Sequence, residues 1–268
     1  GAHRDLHSFP TRRSSDLHST GMEQIDYYIS DNFCDPPGMT ERLFVEKLLR
    51  LPRIFSCYLP PLHFPTIVPP PSEASGVITF GSFNNFAKVN DKVIAVWSEI
   101  LNRVKKSRLL LKSMALGDPS TQQQVWAGFA QHGVPKERIA LLSTVNSAVE
   151  HLALYGQIDI ALDTFPYHGT TTTCEALWMG VPVVTLAGKT HASRVGVSFL
   201  SNVGLSELIA PSPNDYILKA VSLAESSARL QTYRETLRTV MAYSPLMDAA
   251  GFTRELEDAL CAMARSDT

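Results

Sequence analysis

Short apolar segments alternate with amphipathic helical segments over most of this chain, and this alternation restricts the folds open to it. From residue 77 onward, each run rich in Val, Ile and Leu precedes a segment whose apolar residues recur at helical spacing. The predicted strands are residues 77–83, 108–112, 138–143, 158–162 and 181–186, and the predicted helices are 91–106, 121–132, 148–155 and 172–179. Apolar strands joined through helices indicate a parallel sheet covered on both faces. We therefore predict an α/β fold with a doubly wound parallel sheet.

The parts outside this alternation suggest a fragment of a longer protein. Residues 1–18 have neither helical nor strand periodicity and resemble a translated sequencing adaptor, a disordered natural tail being the alternative. We expect residues 19–58 to be the end of a preceding domain, with a strand at 25–30 and an amphipathic helix at 40–50. Six prolines predict an extended linker over 59–76, before the main domain at 77–268. Within that domain, further helices are predicted at 190–202, 214–228 and 248–264 and a strand at 207–210.

Composition excludes several classes of protein. The 24 Lys and Arg residues against 26 Asp and Glu residues leave no broad basic field, so we expect no nucleic-acid partner. No apolar run reaches the ~18 residues of a membrane-spanning helix, so we expect no membrane association. The cysteines are far apart and form no CxxC pair, which predicts neither a zinc site nor a disulfide framework. A reducing, cytoplasmic location fits this pattern.

The loop DTFPYHGTTTTCE, between the predicted strand 158–162 and helix 172–179, carries the strongest chemical signal. A helix N-terminus offers unpaired N–H groups and a partial positive charge, which suit a phosphate. Gly169 lets the backbone approach a ligand closely, and the hydroxyls of Thr170, Thr171 and Thr172 add donors. The alternative is that one threonine caps the helix while the others are solvated. Glu175 either favours the helix dipole or accepts hydrogen bonds from ribose hydroxyls.

Other candidates are weaker when taken alone. Lys88, just after the first predicted strand, could neutralise a diphosphate, although most lysines are simply solvated. His151 begins a predicted helix, and a lone histidine is more often a packing residue than a ligand. The GKT sequence at 188–190 lacks the glycine of a phosphate loop, and no GxGxxG follows the first strand. His168, His191 and Cys174 lack metal-ligand spacing, so no metal site is expected.

Two segments, SFNNFAKVN and LDTFPYHGTTTTCEALWMGVPVVTLAGKTHASRVG, resemble the C-terminal catalytic half of the O-GlcNAc transferase and SPINDLY family in its bacterial form. The upstream IDYYISDNFCDPPGMTERLFVEKLLRLP resembles the end of that family's N-terminal catalytic half, and the likeness covers about residues 22–265. The resemblance implies a GT-B glycosyltransferase with a Rossmann-like C-terminal domain and the remnant of an N-terminal one. It also implies inverting, metal-independent transfer of GlcNAc from UDP-GlcNAc to Ser/Thr of proteins, with no cofactor.

The resemblance further assigns roles by position. Lys88 falls on the family's diphosphate-binding lysine, where it would stabilise the leaving group. Asn85 falls on an amide position that is glutamine in animal enzymes, and His151 falls on the histidine that meets the nucleotide. Thr170, Thr171 and Thr172, beside Gly169, fall on the HTT stretch. Glu175 falls on the acidic ribose ligand, which is aspartate in animal enzymes. Two family residues are replaced: the HTT histidine by Thr170, and a lysine three positions before the matched histidine by Ala148.

The resemblance leaves the general base unassigned. In this family, candidate bases and acceptor-binding residues lie largely in the N-terminal half and the preceding TPR repeats, so we expect no unaided transfer by this chain. Three alternatives remain: a protein O-fucosyltransferase that uses GDP-fucose, a non-catalytic nucleotide-binding half, and another sugar-nucleotide enzyme such as an epimerase. The LDT…TTT string argues against the epimerase.

Overall fold

The structure is a computed structural model that describes residues 19–266, so the prediction for residues 1–18 lies outside the described residues. Its strands are β1 Tyr27–Asp31, β2 Lys47–Leu51, β3 Ile78–Ser82, β4 Ser107–Lys112, β5 Ile139–Leu142, β6 Ile160–Leu162, β7 Val183–Leu186 and β8 Ile209–Ala210. Its α-helices are α1 Pro71–Ser75, α2 Asp91–Arg103, α3 Pro119–Gln131, α4 Ala148–Ala153, α5 Thr171–Trp178, α6 Val195–Val203, α7 Pro213–Ala224, α8 Ser227–Ala242 and α9 Ala249–Ser266.

The main sheet has the strand order β5-β4-β3-β6-β7-β8, and every neighbouring pair in it is parallel. The chain runs outward from β3 through β4 to β5 and then crosses back to β6, on the other side of β3. This reversal confirms the predicted doubly wound α/β fold. In such sheets ligands bind beyond the carboxyl ends of the strands where the order reverses, which here is between β3 and β6.

Helices cover both faces of this sheet and bury a continuous apolar core. In α2 the predicted stripe faces inward, because Val93, Trp97 and Ile100 are fully buried. The indole N–H of Trp97 donates to the Tyr216 hydroxyl of α7 at 3.3 Å, so the buried polar atom has a partner. Burying each such large side chain contributes about 1.5–3 kcal/mol of hydrophobic stabilisation.

The predicted amphipathic helix at 40–50 is wrong. The structure has a 3₁₀ turn at Glu41–Leu43 followed by β2, which pairs in parallel with β1. The apolar residues of this segment fit a helical stripe, but the main-chain groups of β1 hydrogen-bond the strand, and Leu51 at its end is fully buried. Lys47, which the helical reading placed on the apolar side, is exposed. Tertiary pairing has overridden the local pattern.

The proline-rich linker is extended only in part. Residues 59–70 contain neither helix nor strand, but Pro71–Ser75 forms one helical turn. Proline suits this position because the first turn of a helix needs no N–H donor, and Gly76 ends the turn at a φ of 65°. The domain boundaries drawn from the sequence remain a prediction.

The C-terminal helices also differ from the expectation. The predicted helix 214–228 is two helices, because α7 ends at Ala224 and α8 begins at Ser227. Most of α8 was not predicted, since the buried Arg234 interrupts its apolar stripe. Arg234 donates to the carbonyl oxygens of Ile158 and Met179, so a charged residue occupies a core position of the helix. The predicted strand 207–210 is shorter, at Ile209–Ala210, and the helix predicted at 190–202 begins later, with α6.

Candidate functional site

The loop between β6 and α5 is folded around one buried carboxylate. Asp163 accepts hydrogen bonds from the amide of Gly169 at 2.7 Å and from its neighbour Thr164 at 3.0 Å. Its other oxygen accepts from the Thr185 hydroxyl of β7 at 2.8 Å. A carboxylate that binds both ends of a loop holds it in one conformation. Asp163 therefore brings Gly169 to the start of α5, at the carboxyl edge of the sheet.

The N-terminus of α5 is free of side-chain caps. Its N-cap is Thr170, which makes no capping hydrogen bond, so the alternative of a capping threonine is wrong for this residue. The hydroxyl of Thr172 donates to Asn84 at 2.8 Å, and that of Thr173 donates back to the Gly169 carbonyl at 3.1 Å. The first-turn amides of a helix have no acceptor within it. Thr170 and Thr171 are also exposed, so these donors face solvent at the edge of the sheet.

Gly169 has no room for a side chain. A Cβ atom there would lie 2.5 Å from the Thr172 hydroxyl oxygen and 2.9 Å from the Asn84 side-chain oxygen. Such distances are well below van der Waals contact. Gly169 is therefore packed closely against Thr172 and Asn84 of the β3 loop, and its predicted approach to a ligand stays a prediction.

Lys88 lies directly beside this loop. Its Nζ donates to the carbonyl oxygen of His168, the residue before Gly169, at 2.8 Å. The ammonium also lies 3.9 Å from the centroid of the Tyr167 ring. Burial lowers the pKa of Lys88 to about 8, against the opposing effect of Asp163. The structure thus brings together the lysine and the glycine-threonine loop, which the sequence analysis placed in one site.

Asn85, by contrast, is exposed, and its side chain serves the local turn. Its Oδ1 accepts the Ala87 amide at 3.0 Å and so caps the 3₁₀ turn that carries Lys88. The neighbouring Asn84 is the buried residue that contacts Thr172. Asn84 was not predicted, because the run of buried residues that continues from β3 ends between Asn84 and Asn85 and leaves no mark in the sequence.

His168 lies within the β6–α5 loop, is fully buried and makes hydrogen bonds to β7 and α6. Its Nδ1 accepts the amide of Gly196 at 3.0 Å, and its Nε2 lies 2.9 Å from the carbonyl of Leu186. An acceptor Nδ1 and a donor Nε2 define one neutral tautomer. Burial lowers the pKa of His168, which agrees with an uncharged ring. His168 is therefore a packing residue of the loop.

His151 and Glu175 form a second group along the same edge. The Nε2 of His151 lies 2.9 Å from a carboxylate oxygen of Glu175, and the Tyr155 hydroxyl donates to the same oxygen at 3.3 Å. On its other side, His151 Nδ1 is 2.9 Å from the ammonium of Lys112. The sequence analysis missed Lys112, although the last residue of a parallel strand is expected at this edge.

Searches of the described residues for metal ligands and for membrane-spanning helices find neither. Within residues 19–266, no group of three or more His, Cys, Asp or Glu side chains could hold a metal ion. A search of the same residues finds no helix with the length and apolar character needed to cross a membrane.

The carboxyl edge of a doubly wound sheet is where such folds bind nucleotides, and comparison with known proteins gives the class: a glycosyltransferase of GT-B architecture. The chain belongs to glycosyl transferase family 41, whose family model matches residues 71–256. A probable UDP-N-acetylglucosamine–peptide N-acetylglucosaminyltransferase SPINDLY of Oryza sativa subsp. japonica is 46% identical over 241 residues. That match takes in 90% of this chain and 26% of the rice protein, so the chain spans about a quarter of its relative's length.

Solved structures agree with this classification. The O-GlcNAc transferase of Thermobaculum terrenum, as a mutant, superposes with a TM-score of 0.87 at 38% identity, covering 93% of this chain and 47% of that chain. TarM of S. aureus has a TM-score of 0.58 at 12% identity, covering 86% and 43%, and it supports the fold alone. The family and fold class inferred from the sequence are therefore confirmed.

Proposed function

We propose that this chain is the donor-binding half of a protein glycosyltransferase. The activity is transfer of GlcNAc from UDP-GlcNAc to Ser or Thr hydroxyls, with inversion at the sugar and without a metal ion or other cofactor. We further propose a cytoplasmic location and an N-terminal catalytic half outside this chain. An upstream sequence with or without 34-residue helical repeats decides whether TPR repeats precede that half. Family membership supports the reaction class, and the hydrogen bond from Lys88 to the carbonyl preceding Gly169 carries the assignment of the site.

In this reaction, negative charge develops on the departing diphosphate as the acceptor hydroxyl attacks the anomeric carbon. Donors fixed in position before the reaction lower the barrier by stabilising that charge. Lys88 would supply a cation, and the amides at the start of α5, between Thr170 and Thr172, would supply dipoles. These groups do the work that a metal ion does in other transferases.

Glu175 would bind the nucleoside through its ribose. His151, whose ring nitrogens are engaged by Glu175 and Lys112, would contact the nucleoside only through the face of its ring. One carboxylate oxygen of Glu175 is held by His151 and Tyr155, and the other is the acceptor we assign to ribose hydroxyls. The general base for the acceptor hydroxyl belongs, in this proposal, to the missing half. We accordingly expect this chain alone to bind nucleotide and not to transfer sugar to a peptide.

The alternative donor, GDP-fucose, uses the same diphosphate site. A non-catalytic nucleotide-binding half would also have this diphosphate site. Competition between UDP and GDP separates the two donors, and tighter binding of GDP would favour the fucosyltransferase.

The test is calorimetric titration of the purified chain with UDP. Lys88→Met removes a charged hydrogen bond, which contributes about 1.5–3 kcal/mol, so affinity should fall by about 10- to 100-fold. Lys92→Met is the matched control, because Lys92 is exposed in the first turn of α2 and makes the same change of charge. Equal affinities for the wild type and Lys88→Met would refute the proposed site.

A further inference from the structure

The groups along the carboxyl edge follow one another in a fixed order. Lys88 and the Gly169 loop lie at one end. The Tyr155 hydroxyl, which contacts both the Thr172 carbonyl at 3.1 Å and Glu175, connects that loop to the carboxylate. Beyond Glu175 come His151 and finally Lys112. A nucleoside diphosphate bound with its phosphates at Lys88 and its ribose at Glu175 would direct its base toward Lys112.

Hydrogen-bond chemistry fixes the protons in this group. An ammonium has donors only, so Nδ1 of His151 must accept from Lys112. A carboxylate has acceptors only, so Nε2 of His151 must donate to Glu175. Both conditions describe a neutral imidazole with its proton on Nε2. Both ring nitrogens are therefore engaged, and His151 has no polar atom left for the edge of a nucleobase.

Lys112 retains that capacity. Its ammonium has three donors, and its hydrogen bond to His151 uses one of them. Among residues 19–266 this is the only hydrogen bond of the Lys112 side chain, whose main chain pairs with β5. The side chain is half-buried, and burial lowers its pKa, against the opposing effect of Glu175. A partly desolvated cation with spare donors gains most from a ligand that offers an acceptor.

We propose that Lys112 is a specificity-determining residue that donates a hydrogen bond to a carbonyl oxygen of the nucleobase. The inference rests on the proposed function. Uracil and guanine carry a carbonyl oxygen at the position where cytosine and adenine carry an amino group, as O4 against N4 and O6 against N6. An amino group facing an ammonium places donor against donor and leaves both unpaired. The site should therefore prefer UDP and GDP to CDP and ADP.

UDP and CDP form the sharpest test, because their sugar and phosphates are identical. Their bases differ only at the 4-position, oxygen against amino group, and in the proton that uracil carries on N3. We expect the wild-type chain to bind UDP about 10-fold or more tightly than CDP, because a charged hydrogen bond to a base edge discriminates against the base that cannot accept it. In Lys112→Met the ratio should fall to about 1, mainly through weaker binding of UDP. The matched control is Lys106→Met, an exposed lysine just before the other end of β4, which should keep the wild-type ratio.

A second variant separates the hydrogen bond from loss of structure. Lys112→Gln retains an N–H donor, so it should keep part of the preference for UDP that Lys112→Met loses. Equal ratios in the wild type and Lys112→Met would overturn the inference while leaving the diphosphate site intact. Equal loss in the Gln and Met variants would also overturn it. Failure of the wild type to bind any of the four nucleotides would refute the proposed function together with this inference.

Discussion

Two of the histidine–carboxylate pairs among residues 19–266 differ in their surroundings. His151 and Glu175 lie 2.9 Å apart at the carboxyl edge of the sheet, and their side chains are 18% and 16% exposed. His191 and Asp35 lie 2.6 Å apart where the β1–β2 unit meets the segment before α6, with side chains 10% and 0% exposed. The first pair is partly exposed to solvent and lies beside Lys112, whereas the second pair is buried between two segments of the protein.

The contacts of the second pair show what enclosure does. The rings of Tyr28 and Phe55 pack edge-on against His191 at centroid distances of 5.3 and 5.1 Å. Burial acts to raise the pKa of Asp35, but hydrogen bonds from His191 and Ser30 outweigh it and hold that pKa below its usual value. The pair joins residues 156 positions apart in the sequence. A histidine–carboxylate pair therefore stabilises the junction here, whereas the one at the sheet edge remains accessible to a ligand.

The largest effect should come from breaking the enclosed pair. Asp35→Ala leaves His191 without its buried partner, and removing one member of a buried pair costs about 3–5 kcal/mol. Thermal or denaturant unfolding measures this loss. Asp26→Ala, at an exposed aspartate just before β1, is the control and should change stability little. If the two variants were equally stable, the pair would not hold the junction.

The next largest effect should come from a change at the carboxyl edge of the sheet. Gly169→Ala places a Cβ atom against the Thr172 hydroxyl and should weaken UDP binding about 10-fold, as crowding in a packed site costs about 1–3 kcal/mol. The comparison variant is Thr172→Val, which removes the Thr172 hydroxyl but adds no Cβ atom at residue 169. It should therefore bind UDP more tightly than Gly169→Ala does. Unchanged affinity in Gly169→Ala would show that the ligand does not approach this backbone.

The smallest predicted effect is a pH dependence. With the pKa of Lys88 at about 8, the ammonium loses its proton as pH rises through that value, and its attraction for a diphosphate is lost. For a 10-fold effect of the Lys88 charge, affinity for UDP should therefore fall about sixfold between pH 7.5 and 9.5, a window above the phosphate pKa of ~6. Lys88→Met should show no such fall. A parallel decline in the variant would assign the pH dependence to another group.

Stability should change in the opposite direction over that range. Between about 8 and the ordinary lysine value of ~10.4, the unfolded chain binds the Lys88 proton and the folded chain does not. The Lys88 contribution to the free energy of unfolding therefore rises with pH in this window. The difference between wild type and Lys88→Met in unfolding experiments isolates that contribution.

Local pattern was enough to predict the part of the molecule where successive elements are neighbours. The alternation of strands and helices after residue 77 predicted the sheet, and the glycine and threonines after β6 predicted the loop that faces Lys88. Contacts between segments far apart in the sequence could not be predicted from local pattern. The strand β2 depends on pairing with β1, α8 depends on carbonyl groups that accept from Arg234, and the Asp35–His191 pair joins two units. Lys112 was missed because its importance comes from its position beside His151.

The most direct measurement is a crystal structure of the chain with UDP bound. We expect the diphosphate within hydrogen-bonding distance of Lys88 Nζ and of the backbone amides between Thr170 and Thr172, with ribose at Glu175. A diphosphate bound elsewhere, with Lys88 still donating only to His168, would contradict the proposed site.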